Sequence, residues 1–367
     1  MKLNVFWHPD VLLHDTGTGV FEAVGSDLLT VREKHPEGTD RISNMLSILK
    51  RGPLSSHLTW HWGRQATEKE LQLFHTPAYV SQICAAERGG ARRLTATTLA
   101  APGSYDACRA AAGTALEAAA FVMQGQNRIA YALVRPPGHH AAPAQADGYC
   151  LFNNVAVAVE YVLQNGVDRI AVVDWDVHHG NGTQTGFFER NNVLTISLHM
   201  DHGAWGPSHP ETGDVDEVGQ GPGRGFNLNI PLPMGTGDAG YLYAFEKMVI
   251  PAIDAFEPDI LVVACGQDAS QFDADGRQLV TMQGFRQMGA HVRRLADRHS
   301  NGRLLLVQEG GYAVSYAPFC LHATLEGVLG LKEQLPDPLA YLPDDEAAAR
   351  KNVDGIIRRR QAVEPPI

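Results

Sequence analysis

The stretch that most constrains this chain is Ile170-Ala-Val-Val-Asp-Trp-Asp-Val-His-His-Gly180. Ile170 to Val173 is an uninterrupted apolar run, the pattern of a strand buried on both faces. Beyond it Asp174, Asp176 and His178 take every second position, with Trp175 and Val177 between them. Side chains of an extended chain alternate with a period of two, so the carboxylates and the imidazole point one way while the bulky apolar pair packs behind. Such groups at the end of a buried strand are costly to desolvate unless charge or hydrogen bonds compensate them. A bound cation is the simplest compensation, and the stretch predicts a metalloenzyme. For His178 taken alone the bland alternative is a capped or core histidine.

The rest of the chain supplies strands of the same kind. Leu3 to Trp7, Arg128 to Val134, Val193 to Leu198, Ile260 to Cys265 and Leu304 to Val307 read as strands between helical patterns over 40–49, 105–124, 155–164, 241–256, 281–299 and 320–328. Asn153 or Asn154 can cap the third of these helices, and Pro77 suits the first turn of a further one. Strand, loop, helix and strand from 128 to 173 make a βαβ unit, so the fold class is α/β, a mostly parallel sheet covered by helices. No repeat, linker or second boundary interrupts it. The expectation is a single catalytic domain over 1–367, with a core over about 1–330 and a helical tail beyond. Residues 201–225 hold seven Gly and three Pro with Glu211, Asp214, Asp216 and Glu217, and read as a long surface loop, either a pocket rim or simply solvated. Arg358-Arg359-Arg360 reads as a frayed, solvated helix end.

In parallel sheets, sites form beyond the carboxyl ends of the strands. His139 and His140 follow Arg135-Pro-Pro-Gly138, Asp268 follows Gly266-Gln267, and Tyr312 follows Gly310-Gly311, each just past an apolar run. Asp176, His178 and Asp268 make a one-metal ligand set that leaves room for water and a substrate oxygen. Mixed nitrogen and oxygen donors suit zinc without excluding iron, cobalt or manganese. Water attacking an amide beside such a cation needs a base and then an acid, and one imidazole of the tandem pair can serve as both. Asp174 can orient one of the pair by accepting from its ring N–H. The glycines before Tyr312 permit a close approach, and its hydroxyl can donate to a developing oxyanion. Surface loop histidines and a packed turn tyrosine are the bland readings.

The formal charge of −11 and a pI near 5.8 argue against a non-specific nucleic-acid binder and favour a cationic substrate or product. Five Cys, an odd number, do not make a disulfide framework. No secretory h-region is read in Met1 to Trp7, and apolar runs such as Ile260 to Cys265 are far too short to span a bilayer. A cytoplasmic protein with no membrane partner is expected, and self-association as a homo-oligomer is left open.

Together, Arg135-Pro-Pro-Gly-His-His140, Gly148-Tyr-Cys-Leu-Phe-Asn-Asn154, Val173-Asp-Trp-Asp-Val-His-His-Gly-Asn-Gly-Thr-Gln184, Ser197-Leu-His199 and Glu309-Gly-Gly-Tyr312 resemble the zinc-dependent histone deacetylase family. The likeness is greatest to its bacterial deacetylase-like amidohydrolases, with their acetylpolyamine amidohydrolase relatives, and to the class II branch. It implies an arginase/deacetylase fold with a central eight-stranded, mostly parallel sheet flanked by helices. It also implies hydrolysis of an N-acetylated amine, such as an acetyl-lysine peptide, to acetate and free amine. By resemblance Asp176, His178 and Asp268 would hold Zn2+. His140 would be general base and acid, His139 its electrostatic neighbour paired with Asp174, Asn181 the partner of the second histidine, and Tyr312 the hydroxyl that polarises the carbonyl. Tyr149, with Gly148 and Gly310, would bind substrate in the acyl channel. Structural K+ is implied at Asp174, Ser197 and Leu198 with the Asp176 and His178 carbonyls, and at a more distant site through Phe187, Arg190 and Val193.

Two departures from the pattern matter. Asn181 stands where class I members carry aspartate, which leaves His140 less basic than an ionised partner would. Tyr149 stands where Phe is more usual and adds a hydroxyl to the channel wall. A bacterial source, suggested by the resemblance, would set histones aside as the natural target. A binuclear manganese ureohydrolase, which shares the fold, wants a further carboxylate two residues beyond His178, where Gly180 stands instead. A non-catalytic acetyl-group binding module is the reading of a different class, and turnover distinguishes it.

Overall fold

The computed structural model describes residues 2–17, 28–31, 33–126, 128–201, 212–339 and 343–364. Its strands are β1 (Leu3–Trp7), β2 (Leu58–Trp62), β3 (Arg92–Arg93), β4 (Leu99–Ala100), β5 (Ile129–Leu133), β6 (Ile170–Asp174), β7 (Val193–Asp201), β8 (Asn227–Pro233), β9 (Ile260–Cys265) and β10 (Leu304–Gln308). β3 and β4 form a small antiparallel pair. The others make one eight-stranded sheet in the order β2-β1-β5-β10-β9-β6-β7-β8, and each neighbouring pair is parallel.

The aliphatic runs lie in the middle of this sheet. β5, β6, β9 and β10 are buried along their whole length, as strands covered by helices on both faces must be. The register explains where the site forms. Asp174 ends β6 opposite Ser197 of β7 and Ala264 of β9, and Gln308 ends β10 opposite Cys265 of β9. The chain leaving β6, β9 and β10 therefore carries Asp176 and His178, Asp268, and Gly310 to Tyr312 off one edge of the sheet side by side. Trp175 and Val177 are wholly buried behind them, Trp175 with its ring 6.2 Å from that of Phe245. Burial of two such side chains contributes roughly 1.5–3 kcal/mol each and fixes the alternation that points the polar groups forward.

Helices close the faces. Ser104–Met123 and Asn154–Gln164 pack on each other, the second capped by Asn153 Oδ1 accepting from Ala156 N at 2.9 Å. Met282–His299 and Ala317–Leu329 approach so closely that a Cβ on Gly289 would sit 2.2 Å from the Thr324 carbonyl, and one on Gly327 1.9 Å from that of Arg286.

The structure departs from the sequence reading in several places. β2 and β8 appear at the two sheet edges, where neither run has the aliphatic pattern of the centre. β8 carries Pro231 and Pro233, which lack the N–H that a central strand must donate but are tolerated at an edge. The helix expected over 241–256 is Asp238–Ala244, a π-turn over Phe245–Val249 and then Ile250–Phe256. Pro251 near the start of the last segment cannot donate to the preceding turn, and the wider π-turn accommodates it. Arg360 is not solvated. In the helix Glu346–Val363 it continues the buried face of Ala349, Val353 and Ile356, and its Nη1 lies 3.5 Å from the Val215 carbonyl. Of the excursion over 201–225, residues 202–211 with Glu211 lie outside the described residues. Asp214 and Asp216 are exposed, whereas Glu217 turns inward and accepts from Gln184 Nε2 at 2.5 Å and Gly213 N at 2.9 Å. All five cysteines are free thiols, and among the described residues no helix is long and apolar enough to cross a membrane.

Candidate active site

Asp176, His178 and Asp268 converge with their ligand atoms all within 4.8 Å of one another. His178 Nδ1 lies 3.1 Å from Asp176 Oδ1 and 3.3 Å from Asp268 Oδ2. Donors bound tetrahedrally to one ion at about 2.1 Å stand roughly 3.4 Å apart, so the spacing is that of a single metal centre. Backbone amides hold the outer oxygens. Asp268 Oδ1 accepts from Val177 N at 2.8 Å, and Asp176 Oδ2 from Gly310 N at 2.8 Å. Asp268 Oδ2 is fully buried and meets no backbone donor, only the His178 ring at 3.3 Å. A buried carboxyl oxygen crowded by a ring nitrogen and a second carboxylate is the atom a cation would satisfy, and the donor set fits one. Gly310 is required there because a Cβ would lie 2.1 Å from Asp268 Oδ2 and 2.6 Å from Asp176 Oδ2.

The electrostatics agree. Burial, and then Asp176 beside it, push the Asp268 carboxyl well above the usual carboxylate range. Burial depresses the His178 imidazole, but the Asp176 and Asp268 carboxylates outweigh it and hold its pKa well above normal. A cation bound here would compete with the protons that these two raised groups favour.

The tandem histidines divide into two roles. His139 Nδ1 pairs with Asp174 Oδ2 at 2.9 Å, and its Nε2 stands 3.6 Å from Asp176 Oδ1. Burial lowers its pKa, but Asp176 and Asp174 more than reverse this and hold it at about 10. His140 Nδ1 pairs with Asn181 Oδ1 at 2.7 Å. Burial first, then the His139 charge, push the His140 pKa down to about 3, so one ring is cationic and the other neutral near pH 7. Glu309 steadies the loop, accepting from Gly138 N at 2.6 Å and His139 N at 3.1 Å.

Tyr312 is buried, and burial keeps its phenol protonated far into the alkaline range. Its backbone N and that of Ala313 donate to Asp273 Oδ2 at 2.7 and 3.0 Å. The Arg41 guanidinium lies 5.1 Å from its ring centroid and donates to the Glu309 carbonyl at 2.6 Å. The Tyr149 ring meets that of Tyr312 edge-on at 5.7 Å, and its hydroxyl donates to Asp275 Oδ2 at 3.3 Å.

The structure thus brings together Asp174, Asp176, His178, Asp268, His139, His140, Asn181 and Tyr312, with Gly148, Tyr149 and Gly310 against them. It also brings in Arg41, Asp147, Asp273, Asp275 and a structural use for Glu309 that the sequence reading did not assign. Arg41 left one signal, since it shares the helical spacing of Ile42, Met45 and Leu49, and a buried arginine on an apolar face needs a partner.

Fold and site define a metal-dependent α/β hydrolase. Residues 35–328 match the histone deacetylase domain. The chain is 52% identical to histone deacetylase 8 of Arabidopsis thaliana, over 97% of this chain and 95% of that protein. It is 40% identical to the histone deacetylase-like amidohydrolase of Pseudomonas aeruginosa, over 83% of this chain and 80% of that one. A probable deacetylase of Archaeoglobus fulgidus is 33% identical over 90% of this chain and 91% of that protein. Among solved structures, the HDA15 HD domain aligns with a TM-score of 0.83 at 32% identity, covering 99% of this chain and 95% of that one. The chain belongs to the histone deacetylase family, and its architecture is the arginase/deacetylase-like fold. Plant, bacterial and archaeal proteins stand together among these relatives, so they do not single out a bacterial source.

Proposed function

We propose that this chain hydrolyses the amide of an N-acetylated amine, an acetyl-lysine side chain or an acetylpolyamine, with Zn2+ held by Asp176, His178 and Asp268. The observation that supports this most is the convergence of the buried Asp268 Oδ2, the His178 ring and Asp176 on one point. Zinc would supply Lewis-acid polarisation of the carbonyl and a more acidic water. The chain's own groups do the rest. His140, its Nδ1 held by Asn181, takes a proton from the attacking water on Nε2 and hands it to the departing amine. His139, held between Asp174 at 2.9 Å and Asp176 at 3.6 Å, is placed to balance their charge beside the second ring. Tyr312, protonated, donates to the oxygen on which negative charge develops. Tyr149, Gly148 and Gly310 form the wall on which the acyl chain lies.

Two structural K+ sites belong to the same reading. Asp174 and Ser197, paired in register, border a small cavity with His179, Thr183 and Gln184, and Leu198 would complete the first site. The carbonyls of Phe187, Arg190 and Val193 would make the second. Five free thiols suit a reducing cytoplasm. The charge of −11 favours cationic products. A side-by-side turnover assay of the zinc-loaded protein on acetyl-lysine peptides, acetylpolyamines and neutral anilides tests the proposal. Cationic acetyl-amines are expected to be preferred. No turnover of any acetyl-amide would overturn hydrolysis and leave the binding-module reading.

A further inference from the structure

Asn181 differs from a carboxylate in one way that the site must deal with. A carboxylate presents an acceptor whichever way it faces, whereas an amide has an acceptor oxygen on one side and a donor NH2 of nearly the same size on the other. Turned one way it makes His140 Nδ1 a donor and leaves Nε2 with its lone pair. Turned the other way it places N–H against Nδ1 and moves the ring proton to Nε2, where the ring can no longer act as base.

The structure contains a group that settles the choice. Asn181 Nδ2 donates to Asp147 Oδ2 at 3.0 Å while Asn181 Oδ1 meets His140 Nδ1 at 2.7 Å. Asp147 is buried, with a relative exposure of 6%, and the oxygen that it turns to Asn181 is an acceptor. The amide nitrogen must therefore face Asp147, the amide oxygen must face His140, and His140 Nδ1 must carry the hydrogen. Asp147 itself is held by a tight reverse turn. Its N donates to the Cys150 carbonyl at 3.2 Å and Cys150 N donates back at 2.7 Å. Gly148 and Tyr149 between them have φ of 49° and 69°, the left-handed pair that such a two-residue turn demands. The turn is pressed onto the histidine, since a Cβ on Gly148 would lie 2.1 Å from His140 Cδ2. One turn thus sets both the ring plane of His140 and the acceptor behind its partner.

We propose that Asp147 is a positioning residue for the hydrolytic reaction: it holds the Asn181 amide one way round and so commits His140 to the tautomer protonated on Nδ1, with Nε2 free to take a proton. This rests on His140 being the base, as proposed above. Asp147 reaches His140 through Asn181, which donates to it and accepts from the ring.

Three variants of the zinc-loaded full chain test it, read by steady-state kinetics and by 15N-histidine NMR, with a His140→Ala spectrum to assign the signal. Asp147→Ala is expected to lower kcat roughly ten- to hundredfold while KM stays within about threefold and zinc content is unchanged. The His140 signal should move from a single Nδ1-protonated tautomer to a mixture. Asn181→Asp alone sets two carboxylates in contact and should be impaired as well. The exchange Asp147→Asn with Asn181→Asp restores one donor and one acceptor, and should return kcat to within about fivefold of the parent. The inference is overturned if Asp147→Ala keeps kcat within about twofold and an unshifted tautomer, or if the exchange is no better than Asn181→Asp alone. Should Asp147→Ala not fold, the exchange against Asn181→Asp decides. A parent without turnover would fail the hydrolase reading instead, and the tautomer measurement would still judge Asp147.

Discussion

Asp268 shows at the scale of one residue why this site calls for a cation. One oxygen is satisfied by Val177 N, the other meets only the His178 ring at 3.3 Å, and Asp176 crowds the same point. The sign of the resulting pH dependence follows. The Asp268 carboxyl is raised by burial and by Asp176, and His178 is raised, against burial, by the two carboxylates. Both therefore hold their protons to higher pH than the free groups would, and a cation competes with those protons. Zinc affinity should rise with pH by about tenfold per unit for each proton released. Calorimetry in buffers of different ionisation enthalpy reads that number directly, and a pH-independent affinity with no proton release would contradict it. Tyr312→Phe removes only the donor for developing charge. It should lower turnover of an acetyl-lysine peptide by roughly 10²–10³-fold with zinc content unaltered, whereas a merely packed ring would leave kcat in place. These residues could be read from sequence because each stands just past an apolar run or a Gly-Gly turn. Asp147 and Asp273 could not, and the helical spacing of Arg41 said only that it needs a partner, since those partners are Asn181, the Tyr312 backbone and the Glu309 carbonyl, remote in the chain.

At the scale of elements, the central strands were legible for the reason they are central. Burial on both faces demands unbroken aliphatic runs, and β1, β5, β6, β7, β9 and β10 lie where those runs predict. The edge strands β2 and β8 obey a looser rule. They pair on one side only, so His61 and Trp62 or Pro231 and Pro233 cost them little, and no periodicity announces them. The π-turn before Pro251 was equally silent, because a hydrophobic pattern does not record which carbonyl each N–H reaches. The helix pair Met282–His299 and Ala317–Leu329 depends on backbone contact at Gly289 and Gly327. Gly327→Ala would force these helices apart and should lower the unfolding free energy by roughly 1–3 kcal/mol. Denaturant titration of the metal-free protein checks this, and turnover per folded molecule should be unchanged.

Across the whole molecule, the parallel register is what turns scattered residues into a site. It ends β6, β9 and β10 level with one another, delivers their following residues to one edge, and sets the histidine loop after β5 beside them through Glu309. On the proposed function, amide hydrolysis needs one ion held by Asp176, His178 and Asp268. Titrating Zn2+ into the chelator-stripped protein while following deacetylation of an acetyl-lysine peptide is the decisive check. Turnover should rise from the stripped baseline in proportion to added metal and level off at one ion per chain, and the same titration of Asp268→Ala should stay flat. Full activity before any zinc is added, or a plateau at two ions per chain, would contradict it.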